Sequence, residues 1–289
     1  MPSEISYGNW PPDTWRFLNT GFARGSWNMA VDEAILTCHA KGVVPPTVRL
    51  YGWSPPALSL GRIQSLKRDV DRDACIAMGI DIVRRPTGGR AVLHDKEVTY
   101  SFILAESNPL CPKDISGAFS LATSGIIHGL AILGIDARIH GGPGRREGDI
   151  GASSPACFDS PSWYEVVAGG KKLVGSAQAR MKGVLMQHGS ILLELEPEKV
   201  ARLFRFSDSV TRDRIASELE KQATSVSRLA GRPVRFDEVA SALRDGFRRF
   251  FAGAFGITLK DGELLPEELC LARELERDKY GSDSWTALR

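Results

Sequence analysis

Apolar residues recur along this chain with two periods, and the places where the period changes divide it into elements. At 27–40, Ala30, Val31, Ala34, Ile35 and Cys38 fall on one side while Asp32 and Glu33 fall elsewhere, which predicts an amphipathic helix. β-like runs follow at 47–53 and 57–61, and Ser54-Pro55-Pro56 between them predicts a hairpin-like connection. A helix over 68–78 ends at Gly79, a residue suited to a left-handed cap. Strands are expected at 80–84 and 98–104 from their β-branched and aromatic content. Between them, the Pro and the Gly pair of Arg85-Pro86-Thr87-Gly88-Gly89-Arg90 force a loop. A helix over 116–133 stops at Gly134, and 135–139 alternates like a strand.

The glycine-rich segment 141–155 has few apolar residues and is expected to be a mobile surface stretch. Strand-like runs at 163–167 and 172–178 surround Gly169-Gly170, a strong hairpin signal, and 184–195 supplies another strand. From Pro197 onward the pattern turns helical. It is clearest at 237–251, where Val239, Ala240, Leu243, Phe247, Phe250 and Phe251 share one broad face. A last helix spans 264–279, with Pro266 near its first turn. There is no internal repeat, linker or evident boundary, so residues 1–289 are expected to form one α+β domain of mixed β-sheets flanked by helices, with a helical C-terminal part.

Composition narrows the function classes. With 43% apolar and 25% charged residues the chain matches a globular protein, and a net charge of +2 provides no field that would imply nucleic acid or a membrane surface. The N-terminal stretch has no basic lead into an apolar run, and no segment approaches ~18 uninterrupted apolar residues, so a cytoplasmic protein without a membrane span is expected. The five cysteines, Cys38, Cys75, Cys111, Cys157 and Cys270, are spaced too irregularly for a disulfide framework or a zinc site. No metal is expected. Cys38 and Cys75 read as helix packing.

Cys157 stands between the glycine-rich segment and the hairpin, on a loop beside rigid strands, where nucleophiles are often held. A free cysteine is more commonly a packing group, so both roles stay open at this point. Alternation puts Lys171 and Lys172 on opposite faces, so one amine can point inward; the other reading is that both are solvated at the turn. Behind them, the small side chains of Gly175, Ser176 and Ala177 would let a ligand approach the backbone. A thiol beside an ammonium is a sound pair for thioester chemistry, because the positive charge favours the attacking thiolate. The Arg85, Thr87, Gly88, Gly89 loop combines backbone donors with cations that could hold a phosphate or polarise an acyl carbonyl. A solvated turn is the commoner fate of such a loop, and it is neither a Walker loop nor a dinucleotide fingerprint. His94 and His188 are more readily structural than acid–base groups.

Three segments together resemble the biotin and lipoate ligase superfamily, and within it the cysteine-dependent octanoyltransferases of Gram-positive lipoate synthesis. They are Arg84 to Asp95, Cys157 to Glu165 and Lys172 to Gln178. The resemblance implies a ligase-like mixed-sheet catalytic domain and an acyltransferase that moves an octanoyl group from octanoyl acyl carrier protein to a lipoyl-domain lysine, such as that of the glycine-cleavage H protein. It implies Cys157 as the nucleophile, Lys172 as its partner at the acyl carbonyl, and Arg85, Thr87, Gly88, Gly89, His94, Gly175, Ser176 and Ala177 around the substrate. It implies no resident cofactor, since the phosphopantetheine arm belongs to the donor, and action as a monomer. An ATP-dependent lipoate ligase, an octanoyl amidotransferase between lipoyl-domain proteins, and a noncatalytic binder of those partners are the alternatives.

Overall fold

The structure is a computed structural model, and it describes residues 10–140 and 165–289. The first stretch holds β1 (Thr14–Ala23), α1 (Gly25–Ala40), β2 (Thr47–Trp53), β3 (Ala57–Leu60), α2 (Leu66–Asp69), α3 (Arg72–Ala77), β4 (Asp81–Arg84), β5 (Val92–His94), β6 (Glu97–Ala105), α4 (Ile115–Ile132) and β7 (Ala137–His140). The second holds β8 (Glu165–Ala168), β9 (Lys171–Met181), β10 (Val184–Leu192), α5 (Pro197–Arg202), α6 (Ser209–Gln222), α7 (Val226–Ala230), α8 (Phe236–Phe255), β11 (Thr258–Asp261) and α9 (Pro266–Leu275). A π-helical turn, Glu276–Tyr280, then leads to α10 (Asp283–Thr286).

Among the described residues, one mixed sheet runs in the order β11-β1-β2-β6-β10-β9-β8-β7, and β4-β3-β5 form a smaller sheet. β11, β1 and β2 are mutually parallel, whereas every pairing from β2 across to β7 is antiparallel. Strand alternation divides the residues of β6 between two cores. Val98, Tyr100, Phe102 and Leu104 pack on the side of α4 and α8, while Ile103 faces the side of α1 and α9. Mixed sheets flanked by helices are thus the architecture expected from the pattern.

Helices α4 and α8 approach closely because glycines leave room. A Cβ on Gly246 would sit 2.1 Å from the Gly129 nitrogen and 2.5 Å from the Gly125 oxygen. By length and composition α4 is apolar enough to cross a membrane, which a search for uninterrupted apolar runs overlooks because Gly, Ser and Thr punctuate it. Here Phe119, Ala122, Ile126 and Leu130 place it in the core instead.

Several expectations are corrected. β2 and β3 do not form a hairpin: β2 pairs with β1 and β6, and β3 pairs with β4 and β5. Every residue of β2 is buried, so it takes a central position between two neighbours, and Ser54-Pro55-Pro56 carries the chain from one sheet to the other. The helix expected at 68–78 is two short ones. Val70 is extended and bridges to Phe204, and Asp71 then caps α3 by accepting from the Ala74 N–H. β1, β5 and β11 were not foreseen. The Gly169-Gly170 hairpin is present, with both glycines at positive φ, and Cys38 and Cys75 are buried. The segment 141–155 and residues 163 and 164 of the expected strand lie outside the described residues.

Candidate active site

A cavity lies between the two sheets. Gly175, Ser176 and Ala177 of β9 line it together with His188, Gly189 and Ser190 of β10, to which they are paired. Ser59, Arg85, Gly89, Val92 and His94 come from the smaller sheet and its loop, and Met29, Tyr51 and Trp53 from α1 and β2. The loop approaches because residue 61 has no side chain: a Cβ on Gly61 would fall 1.8 Å from the Gly89 oxygen.

Although many of these residues are polar, the surface that the cavity presents is overwhelmingly apolar. Hydrogen bonding inside the walls explains the contrast. Arg85 donates from Nε to Thr87 Oγ1 at 3.2 Å, from Nη1 to the Ser59 carbonyl and Oγ at 2.9 and 3.1 Å, and from Nη2 to the Gly88 and Arg90 carbonyls, both at 2.7 Å. A guanidinium has five N–H donors, and these contacts occupy them all. Arg85 therefore shapes the loop, and its donors are spent on protein acceptors.

Two carboxylate–imidazole–hydroxyl chains meet at this arginine. In one, Glu97 Oε1 lies 2.8 Å from His94 Nδ1, and His94 Nε2 lies 2.7 Å from Ser59 Oγ. Arg85 donates to the same hydroxyl, and in the tautomer with Nδ1–H on Glu97 the Ser59 proton goes to His94 Nε2. In the other, His188 Nε2 lies 2.7 Å from Thr87 Oγ1 and Nδ1 lies 3.6 Å from Asp32 Oδ2. Burial pushes the His188 imidazole below its usual range despite Asp32, with Arg85 and His94 acting in the same direction as burial. Burial opposes the charge on Asp32, yet Arg49 and His188 outweigh it and hold the carboxyl below its ordinary range. Asp32 also accepts from Tyr51 at 2.9 Å. It was expected away from the apolar side of its helix, but both it and Glu33 are buried, because α1 is covered by the sheet on one side and α9 on the other.

The two adjacent lysines separate. Lys172 is 4% exposed and forms a buried ion pair with Glu165, whereas the Lys171 amine donates to the Glu220 carbonyl at the surface. A bulge accounts for this. Val166 pairs with Val174 but Val167 with Lys172, so Leu173 and Val174 both enter the main core, and Lys172 turns to the face that carries Gly175 and Ala177.

Of the residues expected around the substrate, Arg85, Gly89, His94, Gly175, Ser176 and Ala177 line the cavity together. Thr87 is buried behind it against His188, and Gly88 is exposed on the loop. Cys157 lies outside the described residues. Sequence reading missed Trp53, Ser59, Glu97 and Ser190. The available signal was charge inside strand-like runs: Arg49 is the one charged residue of β2, and a buried charge of this kind requires a partner, here Asp32 at 2.7 Å.

The lipoyl protein ligase A/B catalytic domain model matches residues 24–248. The chain belongs to that family. It is similar to octanoyltransferase LipM of Kyrpidia tusciae, 49% identical over 94% of this chain and 98% of the relative. It is also similar to octanoyltransferase LipM of Bacillus subtilis, 40% identical over 96% of this chain and 99% of the relative. Such identity over nearly the full length of both partners places the chain among these enzymes, which are transferases. Among solved structures it is similar to a bipartite lipoate protein ligase from Thermoplasma acidophilum, described together with its E2 lipoyl domain (TM-score 0.77, 27% identity, 96% and 97% coverage). A lipoate-protein ligase A bound with ATP matches with a TM-score of 0.73 at 27% identity, covering 95% and 98%.

Proposed function

We propose that this chain moves an octanoyl group from the thioester of an acyl carrier protein to the acceptor lysine of a lipoyl domain, the glycine-cleavage H protein being the leading candidate, through a thioester on Cys157. The observation that carries this reading is an apolar cavity floored by the same strand that holds a buried, ion-paired lysine. The octanoyltransferase relatives support the acyl group, and the archaeal ligase described with its E2 lipoyl domain supports the class of acceptor.

In the first half-reaction the Cys157 thiolate attacks the octanoyl carbonyl, its carbon–sulfur bond forms as the bond to the carrier sulfur breaks, and the carrier leaves as a thiolate that takes a proton from water. In the second, a neutral lipoyl-domain amine attacks the acyl-enzyme, the amide bond forms as the bond to Cys157 breaks, the proton lost from nitrogen passes to water, and Cys157 is released as its thiolate. Lys172, ion-paired with Glu165, would stabilise the thiolate and the developing oxyanion. Burying seven apolar carbons offers about 5 kcal/mol at roughly 0.8 kcal/mol each, so cavity depth selects medium chains. The enzyme needs no cofactor of its own, since the phosphopantetheine arm belongs to the donor, and acts as a cytoplasmic monomer.

Intact mass spectrometry after incubation with octanoyl carrier protein tests the reading: one added octanoyl group on the wild type and none on Cys157→Ala is expected, and an unmodified wild type would refute it. The likeness to an ATP-bound ligase favours one rival, activation of free octanoate as an adenylate. Free octanoate, ATP and magnesium without any thioester should yield no modified acceptor, and efficient product formation would establish the rival.

A further inference from the structure

Glu97 does not line the cavity, yet it collects hydrogens from three residues that do. Thr99 Oγ1 donates to its Oε1, Ser190 Oγ donates to its Oε2, and His94 Nδ1 lies 2.8 Å from Oε1. The remaining capacity of those groups is also used. Thr99 accepts from the Trp53 indole at 2.7 Å, and His94 pairs through Nε2 with the Ser59 hydroxyl at 2.7 Å and stacks on Trp53 with ring centroids 4.0 Å apart. Ser190, Thr99 and His94 therefore turn their protons behind the wall, toward a carboxylate that is 1% exposed. With the protons of Ser190, Thr99 and His94 engaged in this way, this part of the wall cannot repay the desolvation of a polar group on an acyl chain.

We infer that Glu97 is a specificity-determining positioning residue, which makes the cavity select an unsubstituted hydrocarbon chain and reject a hydroxylated one. This rests on the reading of the cavity as the acyl site. Replacing the carboxylate by an amide has a definite consequence. Oε1 already accepts two hydrogens, so the Gln oxygen keeps that position and the NH₂ faces Ser190. Two donors cannot face each other, and the Ser190 hydroxyl proton must turn into the cavity.

The experiment compares transfer of octanoyl with transfer of singly hydroxylated octanoyl groups, the hydroxyl stepped along the chain, from the carrier-protein thioester. Wild type is expected to prefer octanoyl at least tenfold over every isomer. Glu97→Gln should lower that ratio at least tenfold for one or two hydroxyl positions, and adding Ser190→Ala should restore it, because the released donor is gone. A merely structural role would slow all substrates in proportion. Thr99→Val gives an independent measure, since it leaves the Trp53 N–H without its acceptor and should also relax the ratio. An unchanged ratio in Glu97→Gln and Thr99→Val, or no restoration in the double variant, overturns the inference, as does a wild type that transfers both kinds of chain equally. A wild type inactive with octanoyl thioester refutes the reading of the site itself, a distinguishable result.

Discussion

The pair formed by Lys172 and Glu165 allows the site to be perturbed with a calculable outcome. Both side chains are almost fully buried, at 4% and 2% exposure, so neither charge is solvated by bulk water. Desolvation costs several kcal/mol per ion, and the opposite charge of the partner offsets much of it. Glu165→Gln leaves a buried ammonium, and Lys172→Met leaves a buried carboxylate. Each change should cost about 3–5 kcal/mol, a large part of a stability that for most domains is only about 5–15 kcal/mol. The double variant removes both charges and should be more stable than the sum of the single effects predicts, by at least about 2 kcal/mol. Urea unfolding of the four proteins measures these differences, and octanoyl transfer is assayed in parallel. If Lys172 serves the chemistry, the double variant recovers stability but not activity, remaining at least ~100-fold slower than wild type, the scale of losing an oxyanion donor. Single variants that lose less than about 1 kcal/mol and add without coupling would mark a solvent-screened pair and refute the reasoning.

Three further outcomes are expected. His39 donates from Nδ1 to the Val44 carbonyl and accepts at Nε2 from the Ala105 N–H, so its ring must be neutral, and burial lowers its pKa to about 4. The unfolded state binds the extra proton first, so stability is complete above about pH 6.5 and is lost towards pH 4 by about 3 kcal/mol; chemical denaturation of wild type and His39→Gln should show that slope only in the former. Ala177→Leu fills the cavity floor and should shift preference to acyl chains shorter by two or three methylenes, with a loss for octanoyl of roughly 2 kcal/mol, or about 30-fold in kcat/KM. Gly246→Ala would place a methyl 2.1 Å from the Gly129 nitrogen, forcing α4 and α8 apart; thermal unfolding should show a loss of about 2 kcal/mol or more, while an unchanged Tm would contradict the packing.

Much of the fold was legible because its signals are local. The 3.6-residue period of α8, the Gly169-Gly170 hairpin and the buried Cys38 each depend on side chains a few positions apart. β1, β5 and β11 were missed because short or irregular strands gain their stability from neighbours distant in sequence; Thr14 pairs with Thr258, for example.

The residues of the loop and of β9 were named from their types and order, and the structure gathers Arg85, Gly89, His94, Gly175, Ser176 and Ala177 around one cavity. Alternation by itself left the inward lysine as a choice of two, since it distinguishes faces without saying which is buried, and it was the resemblance of the run from Lys172 to Gln178 that pointed to Lys172. The bulge opposite Val166 and Val167 made that choice. What tertiary structure alone decided is the partners and direction of the buried polar groups. Asp32, Glu97 and His188 belong to different elements, and whether such a group faces water, a ligand or another side chain depends on the partners that folding delivers, since a buried polar atom must find them or pay its desolvation.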